Sequence, residues 1–221
     1  MKKIGIIAAM EAEIDELIKS IENPVKTSLF SSAFYSGVIN GKEVIAVRSG
    51  IGKVNASFVA TQLRLHFNAD VIVMTGIAGG LGTKMMDTVV ATGFVQHDVS
   101  LPGEEIGFLD GLNKVVINAD KKLSAALAGE DSVMGLIATG EAFVSDKSVS
   151  NRIKQLFPEA VAVDMECGAV AQVCERMNVP FAAIKIISDD CNENVYYDFF
   201  KESSEKSVKT ILRFLDSKIF M

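Results

Sequence analysis

The sequence predicts an α/β protein built on a mixed, mostly parallel β-sheet flanked by helices. Three observations carry this. Short apolar runs such as Val71–Met74 and Phe181–Ile187 are rich in β-branched residues, the pattern of strands buried on both faces. These runs alternate with helical stretches along the chain. Finally, 49% of the 221 residues are hydrophobic and mean hydropathy is +0.30. Yet no apolar run approaches the ~18–20 residues of a membrane helix. The hydrophobicity therefore belongs to a deep core. At roughly 100–200 residues per domain, with no linker, repeat or low-complexity tract, residues 1–221 read as one domain.

The elements follow in order. Lys2–Ala8 reads as a first buried strand. Its basic start and short apolar run imitate a signal peptide, but Glu11 and Glu13 follow at once with no cleavage pattern. A helix is expected from Glu11 to Ile21. Asn40-Gly41 marks a hairpin between Phe34–Ile39 and Glu43–Arg48. Ser49-Gly50-Ile51-Gly52 breaks the second strand before a helix over Val54–Phe67. Asp70–Thr75 is a strand ending in the loop Gly76-Ile77-Ala78-Gly79-Gly80. Thr88–Val95 is a strand, and residues 97–113 form an exposed loop. Val133–Thr139 is a strand, Ser148–Leu156 a helix and Ala160–Val163 a short strand. Met165–Met177 is a helix without a capping glycine. Pro180 introduces the strand Phe181–Ile187, and Asp198–Leu215 is a final amphipathic helix.

Charge and rare residues exclude several functions. The chain has 22 basic and 28 acidic residues, net −6. With the basic residues scattered, neither a nucleic-acid groove nor a membrane patch is indicated. Cys167, Cys174 and Cys191 are odd in number and form no C-x-x-C, so no disulfide framework or zinc site is expected. The two histidines, His66 and His97, lie far apart. No metal or cofactor is called for.

In parallel sheets, ligands sit beyond the carboxyl ends of the strands. Glu11 and Glu13 follow the first strand, where acids also suit a helix N-terminus. Glycines 50 and 52 precede a helix and free backbone N–H groups for an anion, though the P-loop ending is absent. Glycines 76, 79 and 80 allow close backbone approach to a ligand. Asp164 and Glu166 sit at a strand-to-helix junction, and Ser188-Asp189-Asp190 ends the last long strand. Glu13, Glu166 and Asp189 thus follow different strands that converge on one rim. Carboxylates without His, Cys pair or Ser triad suit acid–base hydrolysis through a cationic transition state, as in glycoside cleavage.

The segments Ile4–Glu13, Ser49–Val54, Thr75–Leu81, Val163–Glu166 and Ile187–Asp189 also carry a resemblance. In order and spacing they are similar to the 5′-methylthioadenosine/S-adenosylhomocysteine nucleosidases of the nucleoside phosphorylase superfamily. The resemblance implies a three-layer α/β/α fold and a cytoplasmic homodimer that needs no metal or cofactor. It implies hydrolysis of the N-glycosidic bond, releasing adenine and a thioribose. By resemblance, Asp189 is the acid that protonates adenine N7, and Ser188 helps position it. Glu13 is the base for the attacking water, Glu166 holds the ribose hydroxyls and Met165 packs beneath the sugar. Phe143 stacks on adenine, and Val144 offers backbone hydrogen bonds to the base edge. Met10 and Ile51 line the pocket for the 5′-alkylthio group, joined by Tyr197 where Phe is usual. Four departures stand out: Ile77 for Ser in the glycine loop at the site, Asp164 for Glu, Lys185 for Arg, and a shorter loop after His97-Asp98.

Two rivals remain at this stage. A purine nucleoside phosphorylase needs a phosphate site, usually built with arginines. The chain has five, none in the loop that carries Glu11 and Glu13. A non-catalytic purine-nucleoside-binding module is the other, since fold-level likeness does not establish activity.

Overall fold

A computed structural model of the chain describes residues 2–192 and 200–217. It begins with β1 (Ile4–Ala8), a 3-10 turn (Glu11–Glu13) and α1 (Asp15–Lys19). An antiparallel meander follows: β2 (Glu22–Leu29), β3 (Ser32–Ile39) and β4 (Lys42–Arg48). Next come α2 (Lys53–Leu65), β5 (Val71–Met74), β6 (Ile77–Gly80), β7 (Thr88–Gln96) and β8 (Ile117–Asn118). Then follow α3 (Lys121–Leu127), β9 (Val133–Thr139), α4 (Lys147–Leu156), β10 (Ala160–Asp164), α5 (Cys167–Met177), β11 (Phe181–Asp189) and α6 (Phe200–Asp216).

The strands form one mixed sheet in the order β2-β3-β4-β1-β5-β11-β6-β10-β9-β7-β8, with β7 returning to pair with β11. Strands β11, β6, β10, β9 and β7 therefore close into a five-stranded ring. All nine residues of β11 are buried, and it joins both parts of the sheet. Phe181–Ala183 pair in parallel with β5, while Ile186, Ile187 and Asp189 pair in parallel with β6. Its middle pairs antiparallel with β7.

Side-chain alternation sends each strand's residues to opposite layers. Ile7 of β1 joins the core under α2 and α5, with Val59, Leu63 and Val170. Ile4, Ile6 and Ala8 join the core under α1, α3 and α6, with Leu17, Leu123, Ile211 and Phe214. Each such Val, Leu, Ile or Phe side chain contributes about 1.5–3 kcal/mol when fully buried. α4 covers the ring through Ile153, which packs with Leu136 and Val163.

Several elements differ from expectation. The helix over Glu11–Ile21 is split. Its first turn is 3-10, with Glu13 N–H donating to the Met10 carbonyl, and Ile14 interrupts it at φ −128°. The cause is partly tertiary, because the Glu13 carboxylate is held by the distant Ile77 N–H as well as by the Met10 N–H at the head of its own turn. Residues 77–80 are the strand β6 rather than a loop. β2 is an exposed edge, polar on both faces, and Pro24 is tolerated there. α3 is capped by the Asp120 side chain, which accepts from the Lys122 and Leu123 N–H groups. α5 ends on Asn178 at φ +52°, which supplies the left-handed cap in place of glycine. Among the described residues no helix is long and apolar enough to cross a membrane.

Candidate active site

The ends of β1, β4, β9, β10 and β11 surround a cleft. It is lined by Met10, Glu13, Ile51, Ile77, Phe143, Val144, Met165, Glu166, Ser188 and Asp189. These are all the sequence-derived site residues except Tyr197, which lies outside the described residues. Asp164 and Gly79 also line the cleft. Glu11 does not; its side chain is 73% exposed and lies 3.6 Å from Arg48.

Glu13 is 1% exposed. Its Oε2 accepts the Met10 N–H at 2.7 Å and its Oε1 the Ile77 N–H at 2.9 Å. Burial raises its pKa, opposed by Lys185 and by these N–H groups. The position of Ile77 is instructive: a backbone donor meets Glu13 there. Gly76, at φ +139°, is needed because a Cβ would stand 2.5 Å from Glu13 Oε1. This glycine makes room for a protein carboxylate rather than for a ligand.

Glu166 follows β10. Its Oε1 accepts the Gly52 N–H at 2.9 Å, so the glycine turn before α2 grips this carboxylate. Burial pushes Glu166 up to about 7, while Lys185 pulls it down and Asp164 adds to the rise. Behind it Lys185 Nζ lies 3.1 Å from Asp164 Oδ2 and 3.8 Å from Glu166 Oε2. Asp164 also accepts from Thr139 Oγ1 at 2.6 Å and from the Cys167 N–H at 3.1 Å. Burial opposes its charge, but Lys185 and these donors outweigh it and hold its pKa below the usual range. Burial lowers the Lys185 pKa, but the acidic groups around it, Cys167, Asp164, Glu166 and Glu13, outweigh this and hold it above its ordinary value. The Cys167 thiol is driven well above its ordinary pKa, by burial first, and stays protonated.

Asp189 ends β11 and is 2% exposed. Its Oδ2 accepts from Ser188 Oγ and its Oδ1 from the Cys191 N–H, both at 2.9 Å. Two donors on one carboxyl fix its orientation toward the cleft. Phe143, half exposed, and buried Val144 stand after β9. Their loop is tied down by Glu141. Its N–H donates to Asp98 at 2.8 Å, and its Oε2 accepts the Lys53 N–H at 3.1 Å. Lys53 and Asp98 are themselves paired at 2.8 Å.

The cleft thus offers an aromatic face, an apolar wall of Met10, Ile51, Ile77 and Met165, and the four carboxyl groups of Glu13, Asp164, Glu166 and Asp189. Among the described residues no Lys, Arg or His lines it, and no group of three His, Cys, Asp or Glu side chains is placed to hold a metal ion. The profile of the phosphorylase superfamily matches residues 3–219. The 5′-methylthioadenosine/S-adenosylhomocysteine nucleosidase of Shewanella sediminis is 37% identical over 207 residues, covering 89% of this chain and 90% of that protein.

The chain belongs to the phosphorylase superfamily, among its nucleosidases.

Solved structures agree. The Neisseria meningitidis nucleosidase of the same description, in complex with methylthio-immucillin-A, matches with a TM-score of 0.93 and 32% identity, covering 98% of this chain and 99% of that one. A futalosine hydrolase mutant of Helicobacter pylori matches with a TM-score of 0.91 and 32% identity, covering 98% and 99%. The chain is accordingly an N-glycosidic hydrolase. Sequence reasoning missed that Gly52 holds Glu166 and that Thr139 and Lys185 support Asp164. Lys185 had a signal: a lone ammonium inside an apolar strand demands a buried partner.

Proposed function

We propose that this nucleosidase hydrolyses adenosine thioethers, 5′-methylthioadenosine and S-adenosylhomocysteine, to adenine and the thioribose. The observation that carries the reading is the cleft's charge pattern: Glu13, Asp164, Glu166 and Asp189 line it, and among the described residues no cationic side chain does. That environment favours a cationic sugar and repels phosphate. Asp189 gives a proton to purine N7, and the bond electrons pass to the base, which leaves neutral. Glu166 grips the ribose hydroxyls. Glu13 takes a proton from water as its oxygen bonds to C1′. Phe143 stacks on the base and Val144 offers its backbone to the base edge. Met10, Ile51 and Met165 accept the thioether, and Met adapts to different 5′ groups.

A homodimer is part of the reading. It is supported by an outer face of α2 that leaves Val54, Phe58 and Leu65 exposed at 77, 37 and 62%. The likeness to the futalosine hydrolase structure favours futalosine as a second substrate. The test is adenine release from a panel of 5′-methylthioadenosine, S-adenosylhomocysteine, 5′-deoxyadenosine, adenosine and inosine. The two thioethers should turn over best. Failure on every adenosine thioether would overturn this substrate assignment.

A further inference from the structure

The ammonium of Lys185, from the middle of β11, pairs with the carboxyl groups of Asp164 and Glu166 and also attracts that of Glu13. Asp164, Glu166 and Glu13 are 7, 4 and 1% exposed, and Lys185 is 1% exposed. One positive charge cannot compensate all three in a medium that penalises uncompensated charge. The distances show how it is divided. Lys185 Nζ lies 3.1 Å from Asp164 and 3.8 Å from Glu166. The nearer carboxylate, Asp164, is also served by the Thr139 hydroxyl and the Cys167 N–H. Glu166 receives the Gly52 N–H and the longer Lys185 contact. The resembling family usually has Glu and Arg at positions 164 and 185, and both side chains are shorter here. A guanidinium fork can serve two carboxylates at once; an ammonium drawn toward one is drawn from the other.

We propose that Asp164 and Lys185 are opposed positioning residues for Glu166. Lys185 keeps it ionised to grip the ribose hydroxyls, and Asp164 draws that ammonium away, so the pair sets the lower pH limit of nucleoside capture. The proposal rests on the reading of Glu166 as the ribose carboxylate. Other groups face this cluster too. Glu13 comes from the 3-10 turn, Asp189 from the end of β11 and the Cys167 thiol from α5, and His97 beyond β7 acts on Asp164. Glu13 carries its own two backbone donors, and the Cys167 thiol holds its proton. Lys185 and Asp164 are therefore the groups whose removal changes Glu166 with opposite sign.

The experiment is the pH profile of kcat/KM on 5′-methylthioadenosine for the full chain and four variants. Lys185→Met removes the charge that favours ionised Glu166. It should move the acid limb up by about one unit or more and raise KM at neutral pH about tenfold. Asp164→Asn removes a repelling charge and releases the ammonium toward Glu166, so the limb should move down. Lys185→Arg keeps the charge and should not raise the limb. Adenine affinity, read separately, should stay unchanged in all three and shows that the variants fold. Limbs that shift in the same direction for Lys185→Met and Asp164→Asn, or that stay in place, would overturn the proposal. So would a raised limb in Lys185→Arg, which tests it even if Lys185→Met does not fold. Glu166→Gln should raise KM. A nucleoside KM unchanged by it would instead overturn the ribose reading itself, whatever the pair does.

Discussion

Gly76→Ala tests how tightly Glu13 must be held for water to react. The added Cβ would lie 2.5 Å from Glu13 Oε1 and 2.9 Å from its carboxyl carbon, where ordinary contact begins near 3.4 Å. The carboxylate must retreat by about 0.9 Å, which breaks its 2.9 Å bond to the Ile77 N–H. A hydrogen bond to a charged group contributes about 1.5–3 kcal/mol. The backbone at φ +139° adds about 1–3 kcal/mol of strain for a residue with a Cβ. Displacement of a reacting group by about 1 Å costs about 10²-fold in rate. Steady-state adenine release should therefore show kcat reduced about 100-fold, with adenine affinity unchanged because the base pocket is untouched. A kcat within about threefold of the parent, with the variant folded, would refute the reasoning.

Other expectations follow from the same geometry. Asp189→Asn keeps the shape of the side chain but has no proton to give; turnover should be lost while adenine still binds, checked by calorimetry. Phe143→Ala removes the stacking face and should raise KM about 10-fold or more, at about 1–3 kcal/mol per stacked base, with a smaller change in kcat. Glu166 binds its proton more tightly in the folded chain, at about 7 against 4.5. Its contribution to stability is therefore full below about 4.5 and is lost as pH rises through about 7. Melting temperatures at about pH 5 and about pH 8 should differ less in Glu166→Gln than in the parent; an unchanged difference would count against this assignment.

Much of the site was legible because its parts stand directly after apolar strands. Glu13 and Asp189 follow β1 and β11, which run parallel on either side of β5 and end at one rim; Glu166 follows β10, which runs antiparallel to β6 and reaches the cleft through the closed ring. Glu13 rather than Glu11 was read from the sequence as the site residue, but the physical reason was not legible. Both sit in one turn, and only the tertiary fold turns Glu13 toward the Ile77 N–H and Glu11 toward solvent and Arg48. The glycines read as a ligand cradle, yet Gly76 and Gly52 clear space for the carboxylates of Glu13 and Glu141. That purpose depends on residues 63 and 89 positions away, beyond any local pattern. β2 was invisible because an edge strand exposed on both faces has no burial period. The closure of β7 on β11 was hidden too, since strand pairing between distant segments leaves no mark in either. Lys185 was legible as an anomaly and became meaningful once its two carboxylates were in place.

The central claim is that carboxyl groups alone drive attack by water. Its most direct test is product analysis of 5′-methylthioadenosine turnover in phosphate-free buffer, with and without added phosphate. Adenine and free methylthioribose should form in equal amounts at a rate phosphate does not raise. A phosphate requirement, with a sugar 1-phosphate as product, would contradict the account.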